Sequence, residues 1–166
     1  MSDGPGPMRL DHVAFAVWDI AKASRFWTEV MGGRYMQGDA DWRGFAFVQF
    51  GFAGGSRVEV LSPGSDASGF VVKFLERFGE GVHHLTFVAD DLRSQVAHVK
   101  ASGHAVFSED YSDPQWMEAF FSLELAGSRV LVQLAQTNVG PEELDAAWGT
   151  PLGKVLEAAA LRPDLR

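Results

Sequence analysis

Residues 79–92 read GEGVHHLTFVADDL. A chain with five histidines sets two of them side by side here, at the head of an apolar alternation that runs into two aspartates. Residues 10–20, LDHVAFAVWDI, share the same plan: His12 through Ile20 aligns with His84 through Leu92, an offset of 72 positions (84 − 12). Period-two apolar residues predict a strand in both places. Each strand then meets an aspartate able to cap a helix by accepting a hydrogen bond from an unpaired backbone N–H, Asp19 in the first copy and Asp90 or Asp91 in the second. The first helix is expected to carry Ile20, Ala23, Phe26, Trp27 and Val30 on one stripe and to stop at Gly32-Gly33. The second is expected to carry Leu92, Val96 and Val99 and to stop at Gly103.

The duplication continues downstream. Gly55-Ser56-Arg57-Val58 returns as Gly127-Ser128-Arg129-Val130, again 72 residues later. Each GSR reads as a turn between two apolar strands, 45–52 with 58–61 and 119–125 with 130–135. Each unit is therefore strand, helix, then about three strands. Phe70, Phe74, Leu75 and Phe78 share a face of a crossover helix over 68–79, ended by Gly79. The predicted fold class is α+β, with two tandem βαβββ modules at about 9–62 and 82–136 in a domain spanning 9–136. Residues 137–166 lie outside the repeat, where Pro141, Gly149, Pro151 and Pro163 punctuate two short helical stretches, EELDAAW and LGKVLEAAAL. They read as an appended helical tail that caps a cleft or extends a dimer.

Composition narrows the function. The chain has 166 residues, 46% of them hydrophobic, enough to bury a core. A net charge of −8 argues against a nucleic-acid partner or a basic membrane-binding face. No cysteine is present, so disulfides, thiolate metal sites and cysteine nucleophiles are excluded, and a reducing cytoplasm suits the chain. MSDGPGPM at the start lacks a signal-peptide plan, and no apolar run approaches the roughly 20 residues of a spanning helix. The expectation is a cytoplasmic protein with no membrane partner.

In a strand, residues of equal parity face one side. His12 then shares a face with Ala14 and Ala16, and His84 with Thr86 and Val88. The opposite, bulky face has a helix to pack against, while the small-residue face leaves room for something else. The closing strands set a polar residue into an apolar pattern, Glu59 in VEVL and Gln133 in VLVQLA. The GSRV offset would pair Glu59 with Leu131, but a two-residue slip keeps the face, so Glu59 and Gln133 can point into one cleft. Two imidazoles, a carboxylate and an amide oxygen make a set without sulfur, suited to divalent Fe, Mn, Co, Ni or Zn. His83 has the opposite parity and reads as packed or exposed; His98 and His104 read as surface residues. Trp18, Trp27, Trp42, Trp116 and Phe45 read as core or dimer interface.

LDHVAFAV, VEVLSP, KFLERFGEGVHHLTFVADDL and VLVQLAQ together resemble the vicinal oxygen chelate superfamily, which also holds glyoxalases, bleomycin-resistance proteins and dioxygenases, and within it the methylmalonyl-CoA epimerases. The likeness covers about residues 9–136. It implies a curved sheet around a metal-binding cleft, with metal ligands at His12, Glu59, His84 and Gln133. It further implies a homodimer and a small-molecule substrate, an acyl-CoA thioester in the epimerase branch. The implied reaction is epimerisation or isomerisation through a metal-stabilised enolate, with Glu59 as the catalytic base. Epimerases of this type carry Gln or Glu at the second ligand position and Glu at the fourth, where Glu59 and Gln133 stand here. A further strand glutamate that some of them use as a base would fall in FAFVQ, near Ala46 to Gln49, where there is no carboxylate. DYSDPQWMEAFFSLELAGS replaces the family's glycine-rich stretch. Glu118 and Glu124 are candidates for a second base, with a surface role as the plainer reading. The alternatives are an Fe(II) dioxygenase, a glyoxalase-like lyase, or a non-catalytic small-molecule binding protein of the same fold.

Overall fold

The computed structural model describes residues 6–125, 128–138 and 150–161. Strand β1 (Met8–Ala16) leads to helix α1 (Ile20–Arg25), a π-helical turn over Phe26–Val30, and strands β2 (Arg34–Trp42), β3 (Phe45–Gly51) and β4 (Arg57–Pro63). Helix α2 (Phe70–Phe78) joins this set to β5 (Gly81–Ala89), α3 (Leu92–Ala101), β6 (Val106–Asp110), β7 (Met117–Leu125) and β8 (Ser128–Gln136). Helix α4 (Leu152–Ala160) is the last element. The fold is α+β with two βαβββ modules, as the repeat predicts.

Compact packing does not respect the module boundaries. One unit comprises Met1–His12 with His84–Pro141, and the other Val13–His83 with Glu142–Arg166. Strands β1 and β5 both change unit at a candidate histidine, β1 after His12 and β5 before His84.

In the unit containing residues 13–83, β2, β3 and β4 are neighbours in antiparallel pairing. The β3–β4 register is regular from Phe45 opposite Pro63 to Gly51 opposite Arg57. Asp19 caps α1, its Oδ1 accepting from the Lys22 backbone N–H at 2.9 Å. The expected stripe on this helix is only partly buried: Ile20 is covered, whereas Phe26 and Val30 are 48% and 70% exposed. For Val30 the cause is the π-turn, marked by the Met31 N–H reaching the Phe26 carbonyl five residues back. It adds a residue to the turn and rotates the later side chains off the buried face. Helix α2 stops at Gly79, which takes φ 75° and donates its N–H to the Leu75 carbonyl.

The bulky face of β1 packs on the first helical segment, as expected, but its small-residue face is filled. Ala14 and Ala16 do not leave room: they are fully buried against Phe47 and Leu61 and against Val71 and Leu75 of α2. Small side chains here let the crossover helix pack close. On the bulky face Phe15 meets Trp27 with ring centroids 5.4 Å apart. Nor is the tail an appendage over its described part. Val155 of α4 is fully buried with Ile20, Val48, Phe50 and Val60, flanked by Leu152, Leu156 and Ala159. Burying a side chain of this kind contributes about 1.5–3 kcal/mol. The expected helix EELDAAW lies outside the described residues.

In the unit containing residues 84–141, β5 pairs in parallel with β8, from His84 opposite Leu131 to Val88 opposite Ala135. Strands β8, β7 and β6 are joined in antiparallel order. Asp91, not Asp90, caps α3 by accepting from the Ser94 N–H at 3.0 Å. Leu92, Val96 and Val99 bury the expected face of α3 against Ala119 and Leu134. Gly127 of the second GSR turn lies outside the described residues. Among the described residues, no helix is long and apolar enough to cross a membrane.

Candidate metal centre

Three of the four predicted ligands come together in the unit built around β5 and β8. The rings of His12 and His84 meet edge to face with centroids 5.7 Å apart, and both residues are buried, at 2% and 5% exposure. His12 Nδ1 lies 2.9 Å from Asp11 Oδ2. A carboxylate only accepts, so this contact places a proton on Nδ1 and directs Nε2 inward. Nε2 lies 2.9 Å from the Thr86 hydroxyl, and the same hydroxyl donates to Gln133 Oε1 at 2.6 Å. The β5–β8 register causes this, since Thr86 stands directly opposite Gln133.

The Thr86 hydroxyl thus donates to the amide oxygen and lies beside the imidazole nitrogen, so both groups turn to one buried point. Lone pairs of two donor types converging on one buried point are the chemistry of a cation site, so His12 and Gln133 fit the divalent ion that the residue pattern implies. Gln133 is held in this orientation from its other end, where its Nε2 donates to Glu118 Oε2 at 2.6 Å. Trp116 Nε1 donates to the same oxygen at 3.2 Å. Glu118 is half-buried and bonded, which corrects its reading as a surface residue; Glu124, exposed beside Arg129 at 3.1 Å, keeps it.

Glu59 belongs to the other unit, half-buried on β4. Its Oε1 accepts from Gln49 Nε2 at 2.9 Å, and Gln49 Oε1 accepts from Gln37 Nε2 at 2.8 Å. In both units, then, the polar residue of the module's closing strand is tied to the preceding strand by one amide–carboxylate bond. The partners are exchanged: Glu59 is the carboxylate in one, and Gln133 is the amide in the other.

His83 is packed, not exposed, with its ring 4.8 Å from Phe74 and 5.3 Å from Phe70 by centroid. Burial pushes its imidazole down to about 4, with the Glu59 carboxylate pulling the other way. His98 and His104 are exposed, as expected. Trp18, Trp42 and Phe45 pack on the cluster around Ala14, and Trp27 on the cluster around Ile20. Sequence reasoning passes over Asp11, Gln37 and Gln49 as site residues, and treats Thr86 only as a neighbour of His84. The signal for Gln49 is present, because it interrupts the otherwise apolar FAFVQFG, whereas Gln37 lies in the mixed RYMQGDADW; only the register shows that the two glutamines and Glu59 form one row.

The family described as the glyoxalase/bleomycin resistance protein/dioxygenase superfamily matches residues 11–121. The chain is 33% identical over 88 residues to an uncharacterized protein, YqjC, of Bacillus subtilis (strain 168), covering 53% of this chain and 62% of that protein. It is 32% identical over 114 residues to the mitochondrial methylmalonyl-CoA epimerase of Bos taurus, covering 64% of this chain and 63% of that one. It therefore spans less than two thirds of the length of either relative. Its fold is similar to that of a methylmalonyl-CoA epimerase variant from Streptomyces coelicolor solved in complex with 2-nitronate-propionyl-CoA, with a TM-score of 0.65 at 22% identity over 79% of this chain and 98% of that one. With two thirds of its length matched by the family, and with paired βαβββ modules, the chain belongs to the glyoxalase/bleomycin resistance/dioxygenase superfamily.

Proposed function

We propose that the protein is a metal-dependent epimerase or isomerase that removes a proton α to a thioester carbonyl, with an acyl-CoA as the substrate class. The proposed ligands are His12, Glu59, His84 and Gln133, two imidazoles, a carboxylate and an amide oxygen. The observation that carries the reading is the convergence of His12 Nε2 and Gln133 Oε1 on the Thr86 hydroxyl. The ligand of a related epimerase supports the substrate class. When bound, a divalent ion supplies Lewis-acid polarisation of the carbonyl.

The chain's own residues divide the rest of the work. Asp11 holds His12 in one tautomer, Glu118 holds Gln133, and Gln49 holds Glu59. Gln133 is an amide and cannot take a proton at neutral pH. The catalytic base is therefore assigned to Glu59, whose carboxylate takes the α-proton: the C–H bond breaks, an O–H bond forms, and the electron pair stays on the substrate as an enolate. Inversion is completed when a second acid on the opposite face, with Glu118 as the candidate, protonates the enolate carbon, and Glu59 releases its proton to water. We further infer that the working form is a homodimer.

The experiment has two steps. Metal content of the purified protein is measured by mass spectrometry, and then deuterium wash-in from D2O into a 2-methylmalonyl thioester is monitored with metal-loaded protein. Near-stoichiometric Co, Mn, Ni or Zn together with wash-in supports the proposal; metal without wash-in removes the thioester substrate. A second reading rests on donor composition, since two histidines and one carboxylate also suit an Fe(II) dioxygenase. Iron in the preparation with oxygen consumption would replace the first reading by this one.

A further inference from the structure

Gln37, Gln49 and Glu59 lie on β2, β3 and β4, and the strand registers place them in one row, Gln37 opposite Gln49 and Gln49 opposite Glu59. Directly opposed side chains on antiparallel strands stand with Cβ atoms about 5 Å apart, so a row of this kind can bond without leaving ordinary rotamers. It is bonded throughout, at 2.8 Å and 2.9 Å. The last member dictates the direction. A carboxylate only accepts, so Gln49 turns its NH2 to Glu59 and its carbonyl to Gln37, and Gln37 turns its NH2 to Gln49.

We propose that Gln49, itself oriented by Gln37, is the positioning residue for Glu59. By engaging Oε1 it sets the plane of the carboxylate and the face that Glu59 presents to a divalent ion. The inference rests on the reading of Glu59 as a metal ligand. Two observations support it beyond the bonds themselves. Both amides are buried, with Gln37 8% and Gln49 5% exposed, and their neighbours along β3 and β4 include Val48, Phe50 and Val60, all fully buried. The row also has a cost to the fold. Because Gln37 must commit its NH2 to Gln49, its Oε1 is left buried with no hydrogen-bond partner among the described residues. An acceptor in that state bears its full desolvation penalty, which an apolar side chain of the same shape avoids. An amide row that carries this cost is accounted for by the group at its end.

The test uses Gln49→Met and Gln37→Met in the full chain, each nearly isosteric and lacking the N–H donors. Metal-stripped wild type and variants are titrated with Co(II) alone by calorimetry, the visible absorption of the Co(II) forms is recorded, and Tm is measured without metal. The expected result for Gln49→Met is a loss of Co(II) affinity of about 10–100-fold, the usual effect of removing a group that orients a ligand. Its Co(II) absorption bands shift, and its metal-free Tm falls as well, because the buried Gln37 NH2 loses its acceptor. Gln37→Met, acting through Gln49, gives a smaller loss in the same direction and decides the matter if Gln49→Met does not fold. A purely structural role predicts a lower Tm with unchanged affinity and spectrum, and that outcome overturns the proposal while leaving the metal reading intact. Failure of the wild type to bind Co(II) overturns both.

Discussion

Asp11 Oδ2 stands 2.9 Å from His12 Nδ1, and both side chains are almost completely buried. This contact decides which nitrogen of His12 is available. With the proton held on Nδ1, the ring presents Nε2 toward Thr86 and Gln133, and its orientation no longer depends on packing alone. Asp11→Ala is therefore expected to lower Co(II) affinity by about 10–100-fold without abolishing binding, since the ligand atom survives and only its orientation is lost. Isothermal titration calorimetry reads this directly, and wild-type affinity in the variant would show that Asp11 plays no part in presenting the ring.

The two histidines and the glutamate are expected to behave as one ligand set. His84→Ala and Glu59→Ala should each return from purification with metal below stoichiometry by mass spectrometry while keeping the wild-type far-UV circular dichroism. Full metal content in either variant would remove that residue from the proposed ligands.

Glu118 holds Gln133 through one strong acceptor oxygen that also takes the Trp116 indole N–H. In Glu118→Leu the buried Gln133 amide loses that acceptor, a loss expected to destabilise the fold by about 1–3 kcal/mol. Urea unfolding of the metal-free protein measures it. An unchanged midpoint would mean that another group takes over the bond.

Tyr35 is a group sensitive to high pH. Burial pushes its phenol up to about 12, and the Asp39 charge adds to the effect, while its hydroxyl donates to the Thr150 carbonyl. The unfolded chain ionises Tyr35 near 10 and the folded chain near 12, so the folded state binds more protons between these values. The stability that Tyr35 contributes is whole below pH 10 and is lost as pH rises toward 12. In Tyr35→Phe the fall in Tm across that window should be shallower than in the wild type; parallel slopes would assign the alkaline loss to other groups.

Helix α4 is expected to matter for stability because Val155 is fully buried with Ile20, Val48, Phe50 and Val60. Val155→Ala should cost about 1–3 kcal/mol in urea unfolding, the range for deleting methyl groups from a packed core. A change near zero would show that α4 is dispensable to that core.

Much of this protein is legible in its sequence because the pattern is written there twice. Period-two apolar residues, paired aspartate caps and the recurring GSRV define both βαβββ modules, and matched positions raise His12 and His84 above an ordinary strand histidine. These are local signals, since backbone periodicity and helix capping act within a few residues. The misreadings arise where locality ends. The π-turn at Phe26–Val30 shifts the helical phase by one residue, which no periodic stripe anticipates. Ala14 and Ala16 read as space, but smallness only permits close approach, and α2 takes the room. Ile20 and Val155 stand near opposite ends of the chain and share one core, a pairing that no local pattern encodes.

The sequence by itself determined the alternation of elements, the fold class and the polar residues that depart from their strands' apolar pattern. Only the tertiary structure decided how those residues are held. Asp11 selects the His12 tautomer, Thr86 lies opposite Gln133 by parallel register, and Gln37, Gln49 and Glu59 form one row by antiparallel register. The reason is geometric. Parity along a strand says which face a side chain is on, but its hydrogen-bond partner comes from a neighbouring strand, and a shift of one residue in register would turn these strand-paired groups away from their partners.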